Sequence, residues 1–205
     1  LYRLSDKIVC VTKGFIHQLE NEKPFTRKKL AYFPNGANTE RFDQKFEKFN
    51  FPKEIQTKIQ QKKILSYVGT LGISHGLQDM LKLAKTFEHN QEFIFLFLGE
   101  GHDKKLIISS DLPNVVYHPS VNPDQVMSIY EQSYLGFVSL KAVDSFKNFI
   151  PSKMFELMAA KRPIIGLVVG ESRNIIEQAG CGICKNPDLS EQDCQDLYTR
   201  ITNLS

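Results

Sequence analysis

Three polar residues at the start of one helical segment have types and spacing suited to binding a phosphate and a diol together. They are Ser152, Lys153 and Glu156, in the stretch FIPSKMFELMAAKRPIIGLVVGES over residues 149–172. Pro151 suits the first position of a helix. The first turn of a helix has unpaired backbone N–H groups, so a phosphate there would gain those donors together with the Lys153 ammonium.

Glu156 lies three residues after Lys153 and therefore on the same helix face. A carboxylate accepts two hydrogen bonds side by side, and adjacent ribose hydroxyls donate two. The alternative is a Lys–Glu pair on the surface, worth roughly a few tenths of a kcal/mol. The apolar residues of 154–158 cover most of the helix and leave little of it at the surface, which favours the binding interpretation.

The elements that position this helix are predicted from short apolar runs that alternate with helical patterns. The runs are continuous, as is typical of strands buried on both faces. We predict strands over 7–12, 30–34, 63–69, 92–99, 114–119, 134–140, 163–169 and 181–184, and helices over 13–22, 75–88, 102–110, 123–132, 151–161, 171–179 and 190–203. This order predicts an α/β protein, a Rossmann-like parallel sheet flanked by helices.

The segment 43–62 interrupts this alternation because it is rich in lysine and glutamine and contains no buried strand. We interpret it as a connector with a surface helix. Residues 1–42 would then be the remnant of one domain and residues 63–205 a complete one. The chain starts abruptly, without an initiator Met, and we expect it to be cut from a longer protein.

Ligands of an open parallel sheet bind beyond the carboxyl ends of its strands, where this chain has several glycine-rich turns. The turn in VGTLGISHGL contains Gly69, Gly72 and Gly76, which either admit a ligand close to the backbone or are simple turn glycines; its spacing is not that of a dinucleotide fingerprint. Gly99 in FLGEG and Gly170 in LVVGES open two further helices.

The composition excludes several classes of protein. The 205 residues are 41% hydrophobic and 24% charged, with a net charge of +3 spread along the chain, so no nucleic-acid partner is implied. No apolar run is long enough to span a bilayer. Cys181 and Cys184 form a C-x-x-C that we interpret as packing cysteines in a reducing compartment. His75, His102 and His118 follow predicted strands but lack the local spacing of metal ligands, so we predict no metal.

Several of these stretches together resemble a known family. The stretches YFPNGANTERF, SYVGTLGISHGLQDML, FLFLGEG, PSKMFELMAAKRPIIG and VVGES occur in the order found in the C-terminal, donor-binding half of retaining GT-B glycosyltransferases of family 4, or group 1. The resemblance covers about residues 5 to 190 and is closest to the bacterial branch that builds O-antigen and capsule, such as fucosamine transferases.

The resemblance implies two Rossmann-like domains that face a cleft. The C-terminal domain binds a nucleotide-sugar donor, and the N-terminal domain binds a glycan or lipid-linked acceptor. Residues 1–42 would be the end of that acceptor domain and the interdomain segment. We expect a cytoplasmic protein with peripheral membrane contact through the N-terminal domain, and a fragment that binds nucleotide without transferring sugar.

The resemblance also assigns residues. Glu156 matches the second glutamate of the E-x7-E motif, which holds the nucleotide ribose, whereas Asn148 stands where the first glutamate is usual. Thr70 and His75 stand where many relatives have an Arg and a Lys that hold the diphosphate. We therefore expect Lys153 to supply the positive charge, with His75 as a second candidate.

The remaining predicted contacts complete the site. The nucleotide base would lie against the backbone near Tyr117 and His118. Lys153 and Glu156 are the predicted catalytic residues. The donor-binding set is Gly69, Thr70, Gly72, His75, Gly99, Tyr117, His118, Asn148, Ser152, Lys153, Glu156, Gly170 and Glu171. GT-B enzymes need no bound metal or cofactor, and we expect a UDP-linked donor.

Two other functions fit the same residues. One is a non-catalytic nucleotide-sugar-binding subunit that needs a partner chain to complete its site. The other is a nucleotide-sugar epimerase of similar architecture. An epimerase would need acid–base residues within this half, and Glu100 with His75 and His102 is the only candidate set.

Overall fold

A parallel six-stranded sheet forms the centre of the protein in the computed structural model, which describes residues 1–42, 44 and 46–204. Its strands are β3 (Lys63–Val68), β4 (Phe93–Leu98), β5 (Val115–His118), β6 (Leu135–Ser139), β7 (Ile164–Leu167) and β8 (Gly182–Lys185). Their order is β5-β4-β3-β6-β7-β8. The predicted Rossmann-like sheet is therefore confirmed.

Helices connect successive strands of this sheet. They are α4 (Leu77–Thr86), α5 (Lys104–Ile108), α6 (Pro123–Gln132), α7 (Lys153–Ala159) and α8 (Glu171–Gln178), and α9 (Glu191–Thr202) follows the last strand. Asn122 caps α6 in a capping box with Gln125. The predicted helix over 75–88 begins instead as a 3-10 turn, Ile73–His75, because Gly76 adopts a left-handed conformation before α4 starts.

The core lies on both faces of the sheet because the strands are apolar at successive positions. On one face, Leu65, Phe95 and Phe137 pack against α4 and α9. On the other face, Ile94 and Val138 pack against α6, α7 and α8. A strand buried on both faces needs this continuous apolar pattern, which explains why the strands were predictable from sequence.

The N-terminal segment forms a second, smaller sheet. β1 (Ile8–Cys10) and β2 (Leu30–Tyr32) pair in parallel, and α1 (Lys13–Glu22) lies between them along the chain. α1 contacts the large sheet's carboxyl end, where the Glu171 Oε1 atom accepts a hydrogen bond of 2.9 Å from the Gly14 N–H. Whether residues 1–42 belong to a separate domain stays a prediction.

The segment predicted as a connector is more than a surface helix. It contains α3 (Lys53–Ile59), and the side chains of Phe51 and Ile59 are buried in the same apolar cluster as the outer face of β3 and β4. Phe49 packs against that cluster as well. The sequence did not predict the packing of Phe49 and Phe51, because the surrounding stretch is rich in lysine. Asp43 and Lys45 of this segment lie outside the described residues.

Among the helices that the structure describes, none has the length and apolar character needed to span a bilayer.

The contact between the ends of β3 and β4 yields a testable prediction. Gly99 has a φ of +149°, and an added Cβ would stand 1.8 Å from the backbone oxygen of Gly69. We expect Gly99→Ala to lower the free energy of unfolding by roughly 2 kcal/mol or more, measured by urea denaturation.

Gly36→Ala is the matched control because no atom lies within 4 Å of the added Cβ. We expect that variant to change stability by less than about 0.5 kcal/mol. Equal stability of the two variants would contradict the close backbone contact between the strand ends.

Candidate functional site

A cleft of about 590 Å³ lies beyond the carboxyl ends of β3 and β6. The strand that follows β3 along the chain lies on one side of this pair in the sheet, and the strand that follows β6 lies on the other side. In open α/β proteins, the crevice at such a switch point binds ligands. Its lining comprises Asn35, Arg41, Val68, Gly69, Thr70, His75, Val121, Pro123, Val126, Met127, Tyr130, Phe149, Ile150, Pro151, Ser152, Lys153 and Glu156.

Lys153 carries the most unusual group of the cleft. Its side chain is partly accessible, but its Nζ atom is buried and has no hydrogen-bond partner among the described residues. The ammonium lies 3.7 Å from the centroid of the Tyr67 ring. Gly69 makes room for it, since a Cβ there would come within 2.9 Å of Nζ. An unpaired buried cation is costly unless an anion joins it.

The pKa of Lys153 follows from this environment. Burial lowers it from its ordinary value to about 7, and the nearby Glu156 carboxylate offsets only part of the effect. At neutral pH the ammonium is thus easily lost when no anion lies beside it. An anion bound beside Nζ would favour the charged form and raise the pKa.

The Glu156 side chain forms its hydrogen bond with helix α6 and not with Lys153. Its Oε2 atom accepts a hydrogen bond of 3.4 Å from the hydroxyl of Tyr130 in α6. Lys153 and Glu156 do not form an ion pair, as the salt bridges among the described residues do not include them. The surface Lys–Glu pair considered from the sequence is therefore absent from this part of the chain, and both charges remain available to a ligand.

His75 lines the cleft as predicted, but its chemistry differs from the expectation. Its Nδ1 atom lies 3.3 Å from the backbone oxygen of Ser139. A carbonyl oxygen only accepts, so Nδ1 carries the hydrogen and Nε2 is an acceptor in the neutral ring. Burial and, next, the Lys153 charge lower the pKa of His75. The ring is therefore neutral at pH 7 and supplies no cation to the cleft.

Some of the predicted glycine-loop residues line the cleft, and others lie outside its lining. Gly69 and Thr70 line the cleft. Gly72 stands before the 3-10 turn of His75 and lies outside the lining. Gly99 also lies outside, and its backbone packs on Gly69. Gly99 thus shapes the loop through close backbone contact, which is a structural reason for glycine at that position.

Asn148, Gly170 and Glu171 also lie outside the cleft lining. Glu171 bonds the Gly14 N–H, and the Asn148 amide donates a hydrogen bond of 3.3 Å to Gln18 of α1. Gly170 packs against the backbone of Lys147. Because α1 is distant in sequence, the local sequence pattern did not predict that α1 would form hydrogen bonds with Asn148 and Glu171.

Tyr117 and His118 are not among the residues that line the cleft, and the placement of the base against the backbone near them stays a prediction. The Tyr117 hydroxyl donates a hydrogen bond of 2.8 Å to Glu100 Oε1. The His118 ring packs edge-on against Phe49 and Phe51. Side chains alternate in direction along a strand, so Tyr117 and His118 point to opposite faces of the sheet. His118 points to the face where the aromatic residues of the 43–62 segment pack.

Helix α7 begins two residues later than the predicted helix over 151–161. The helix begins at Lys153, and Ser152 adopts a helical conformation as its N-cap, with no capping bond from its side chain. Pro151 thus precedes the helix, although its carbonyl already accepts a bond from the Met154 N–H. Ser152 is an exposed residue that lines the cleft.

The residues proposed for an epimerase do not converge. His75 lines the cleft, whereas Glu100 bonds Tyr117 and Lys104, and His102 pairs with Asp103. In the described ranges, no three His, Cys, Asp or Glu side chains gather in a metal-binding arrangement. Cys181 and Cys184 are free thiols that pack against the core.

Sequence reasoning missed two tyrosines that contact the charged groups of α7 and two polar residues that line the cleft. Tyr67 and Tyr130 have the spacing of core residues, and nothing in a single sequence shows that a cation and a carboxylate meet them. Asn35 and Arg41 belong to PNGANTERF, which carried the resemblance but no assigned role. Arg41 lines the cleft and forms an ion pair with Asp124, which lies outside the lining.

The chain matches the family described as glycosyl transferases group 1 over residues 48–204, and it belongs to that family. Comparison with curated proteins gives no match.

Solved structures share the fold at low sequence identity. WaaG, a glycosyltransferase involved in lipopolysaccharide biosynthesis, matches with a TM-score of 0.70 and 15% identity over 97% of this chain and 54% of its own. A mutant of S. aureus TarM in complex with UDP matches with a TM-score of 0.71 and 16% identity, covering 98% and 38%. An α,α-trehalose-phosphate synthase (UDP-forming) from Burkholderia vietnamiensis gives 0.71 and 12%, covering 98% and 52%. The chain thus spans about half or less of each of these structures.

The buried ammonium predicts an unusual stability effect. We expect Lys153→Met to raise the free energy of unfolding of the ligand-free protein by roughly 2–4 kcal/mol at pH 6.5, because the variant no longer buries an unpaired charge. The gain should shrink as the pH rises from 7 toward 10.5. Over that range the folded wild type has already lost the proton that the unfolded chain still holds, so wild-type stability rises. Urea denaturation at pH 6.5 and 9.5 measures both.

Lys105→Met is the control because Lys105 is exposed and lies in α5, away from the cleft. We expect it to change stability little at either pH. A Lys153→Met protein less stable than the wild type at pH 6.5 would mean that the ammonium has a favourable partner in the free protein.

Proposed function

We propose that the chain is the donor-binding half of a retaining, metal-independent glycosyltransferase. In this proposal the enzyme moves a sugar from a nucleotide diphosphate sugar, with UDP preferred, to a glycan or lipid-linked acceptor. The observation that carries the proposal is the buried Lys153 ammonium, which lacks a partner among the described residues and faces the cleft. Family membership supports glycosyl transfer as the reaction class.

The diphosphate is the anion that fits beside Lys153. The ammonium lies near Gly69, where the backbone admits close approach. Cleavage of the anomeric C–O bond develops negative charge on the leaving diphosphate and positive charge on the sugar. A fixed ammonium in a partly dry site stabilises that negative charge more in the transition state than in the bound donor. Lys153 is therefore our candidate for transition-state stabilisation.

Glu156 is our candidate for the ribose. One of its oxygens accepts from Tyr130, and the other has no hydrogen-bond partner among the described residues. Vicinal hydroxyls of a ribose donate to such a carboxylate side by side. The three-residue spacing from Lys153 places the two groups one helical turn apart, a separation suited to a phosphate and its attached nucleoside. Two of the matched structures carry UDP in their descriptions, which supports uridine.

Acceptor binding is proposed for another part of the enzyme. The chain spans about half the length of the WaaG structure, and we propose that the acceptor binds to a part of the enzyme that these residues do not include. We expect the 205 residues to bind the donor nucleotide without transferring sugar. The WaaG description supports a role in cell-surface polysaccharide synthesis, which we place in the cytoplasm, at the membrane periphery.

Calorimetric titration of the purified chain with UDP, GDP and NAD tests the proposal. We expect UDP to bind and NAD not to bind. Glu156→Ala should weaken UDP binding roughly 10- to 100-fold, because two hydrogen bonds to a charged group are lost. Glu131→Ala is the matched control, since Glu131 is an exposed carboxylate of α6 outside the cleft lining, and it should leave the affinity unchanged.

Three results would reject parts of this proposal. Absence of binding by any nucleotide would reject the donor-binding function of the chain. Preference for GDP would reject uridine alone. Sugar transfer by the 205 residues would show that they also bind the acceptor and supply everything that the reaction needs.

The pKa of Lys153 predicts the pH dependence of this binding. The free site has a Lys153 pKa of about 7, and a bound diphosphate should raise it, so binding takes up a proton above pH 7. We expect the affinity for UDP to fall about tenfold or more between pH 7.5 and pH 9, where the diphosphate itself stays fully ionised.

Titrations in two buffers with different ionisation enthalpies would measure the proton uptake directly. The Lys153→Met variant should bind weakly and lose the pH dependence. A wild-type affinity that stays constant between pH 7.5 and pH 9 would mean that Lys153 does not contact the anion.

A further inference from the structure

Tyr130 is a fully buried aromatic residue whose hydroxyl group reaches the cleft. It lies near the end of α6, its exposed fraction is 1%, and its side chain belongs to the apolar cluster on the α6–α7 face of the sheet. The phenol oxygen lies 3.4 Å from Glu156 Oε2. Phe would fill the same space in an apolar cluster, so the hydroxyl needs a separate explanation.

We propose that Tyr130 is a positioning residue that orients the Glu156 carboxylate toward the diol of the bound nucleoside. This inference rests on the proposed function, because it concerns how the same cleft recognises a ribose. The phenol donates to Oε2 and so restricts the rotation of the carboxylate, while Oε1 has no hydrogen-bond partner among the described residues and can accept from the diol.

The direction of the hydrogen bond supports this role. Burial and then the Glu156 charge raise the pKa of Tyr130 well above its ordinary value, so the phenol stays protonated and donates. A carboxylate has only acceptor sites, and it can take the phenol on one oxygen while vicinal hydroxyls use its remaining lone pairs. The tyrosine thus holds Glu156 without competing for all of its acceptor capacity.

The absence of other contacts makes the tyrosine important for Glu156. Within the described ranges, the carboxylate has no hydrogen bond besides that from Tyr130, and Lys153 does not pair with it. A glutamate side chain loses considerable rotamer freedom when a ligand fixes it. A phenol that fixes the carboxylate before binding removes part of that cost, which is the benefit of preorganisation.

The test compares Tyr130→Phe with the wild type, using UDP and 2′,3′-dideoxy-UDP as ligands. UDP presents the diol, and the dideoxy ligand does not. We expect Tyr130→Phe to weaken UDP binding about five- to tenfold and dideoxy-UDP binding less than about twofold, because orientation of Glu156 matters only when a diol is present. A purely structural tyrosine would affect both ligands alike.

Tyr134→Phe is the matched control. The Tyr134 hydroxyl bonds the backbone oxygen of Leu204 at 2.6 Å, near the amino end of β6 and away from the cleft lining. This variant loses a tyrosine hydroxyl bond elsewhere and should leave the affinities for both ligands unchanged. Equal weakening of both ligands by Tyr130→Phe, or no weakening of either, would overturn the inference.

A second measurement tests the contact without any nucleotide. Urea unfolding of Tyr130→Phe, Glu156→Gln and the double variant forms a mutant cycle. We expect the double variant to shift the midpoint by clearly less than the sum of the two single shifts, since both single changes remove the same bond. Additive shifts would overturn the positioning role.

These measurements separate the two proposals. If the wild type binds UDP but the cycle is additive, the donor-binding function stands and the role of Tyr130 is wrong. If the wild type binds neither UDP nor its dideoxy form, the donor-binding function fails, and the inference about Tyr130 fails with it.

Discussion

The cleft depends on the burial of one unpaired ammonium. Lys153 Nζ lies over the Tyr67 ring and beside the bare Cα of Gly69, where solvent does not reach it. The aromatic ring face offers a cation roughly 0.5–2 kcal/mol, which is less than the desolvation cost of a buried charge. A protein kept stable by its other contacts can tolerate such a cost. Groups of this kind are typically found at sites that act on a ligand.

The backbone around this ammonium leaves the space that its buried position needs. The glycines at the ends of β3 and β4 allow their two loops to lie in direct contact, with Gly99 packed on the oxygen of Gly69. A side chain at Gly99 would push the loops apart, and a side chain at Gly69 would fill the space beside Nζ. The sheet supplies the rest, because its switch point brings the start of α7 next to the end of β3. Fold and charge are therefore linked through a few close backbone contacts.

The two charged residues of α7 were predictable, and their surroundings were not. Lys153 and Glu156 stand out in a sequence because polar groups interrupt an otherwise apolar helix. Tyr67 and Tyr130 fit the core pattern equally well, so their second role depends on which way each hydroxyl or ring faces. Asn148 and Glu171 resemble cleft residues by position, but α1 binds them. Contacts between distant segments leave no periodic signal in one sequence, whereas strands buried on both faces leave a strong one.

The charge balance of the cleft explains why one lysine has such weight. Among the lining residues, Arg41 is paired with Asp124, and His75 is neutral at pH 7 because burial and Lys153 lower its pKa. Thr70 and His75 stand where the resemblance would place two permanent cations. Lys153 thus remains as the lining cation without a carboxylate partner in the described part of the chain. An anion in this cleft would depend on a single side chain whose own charge is easily lost. Binding, protonation and fold stability are then coupled through that one group, since whatever anion restores its charge also removes the cost of burying it.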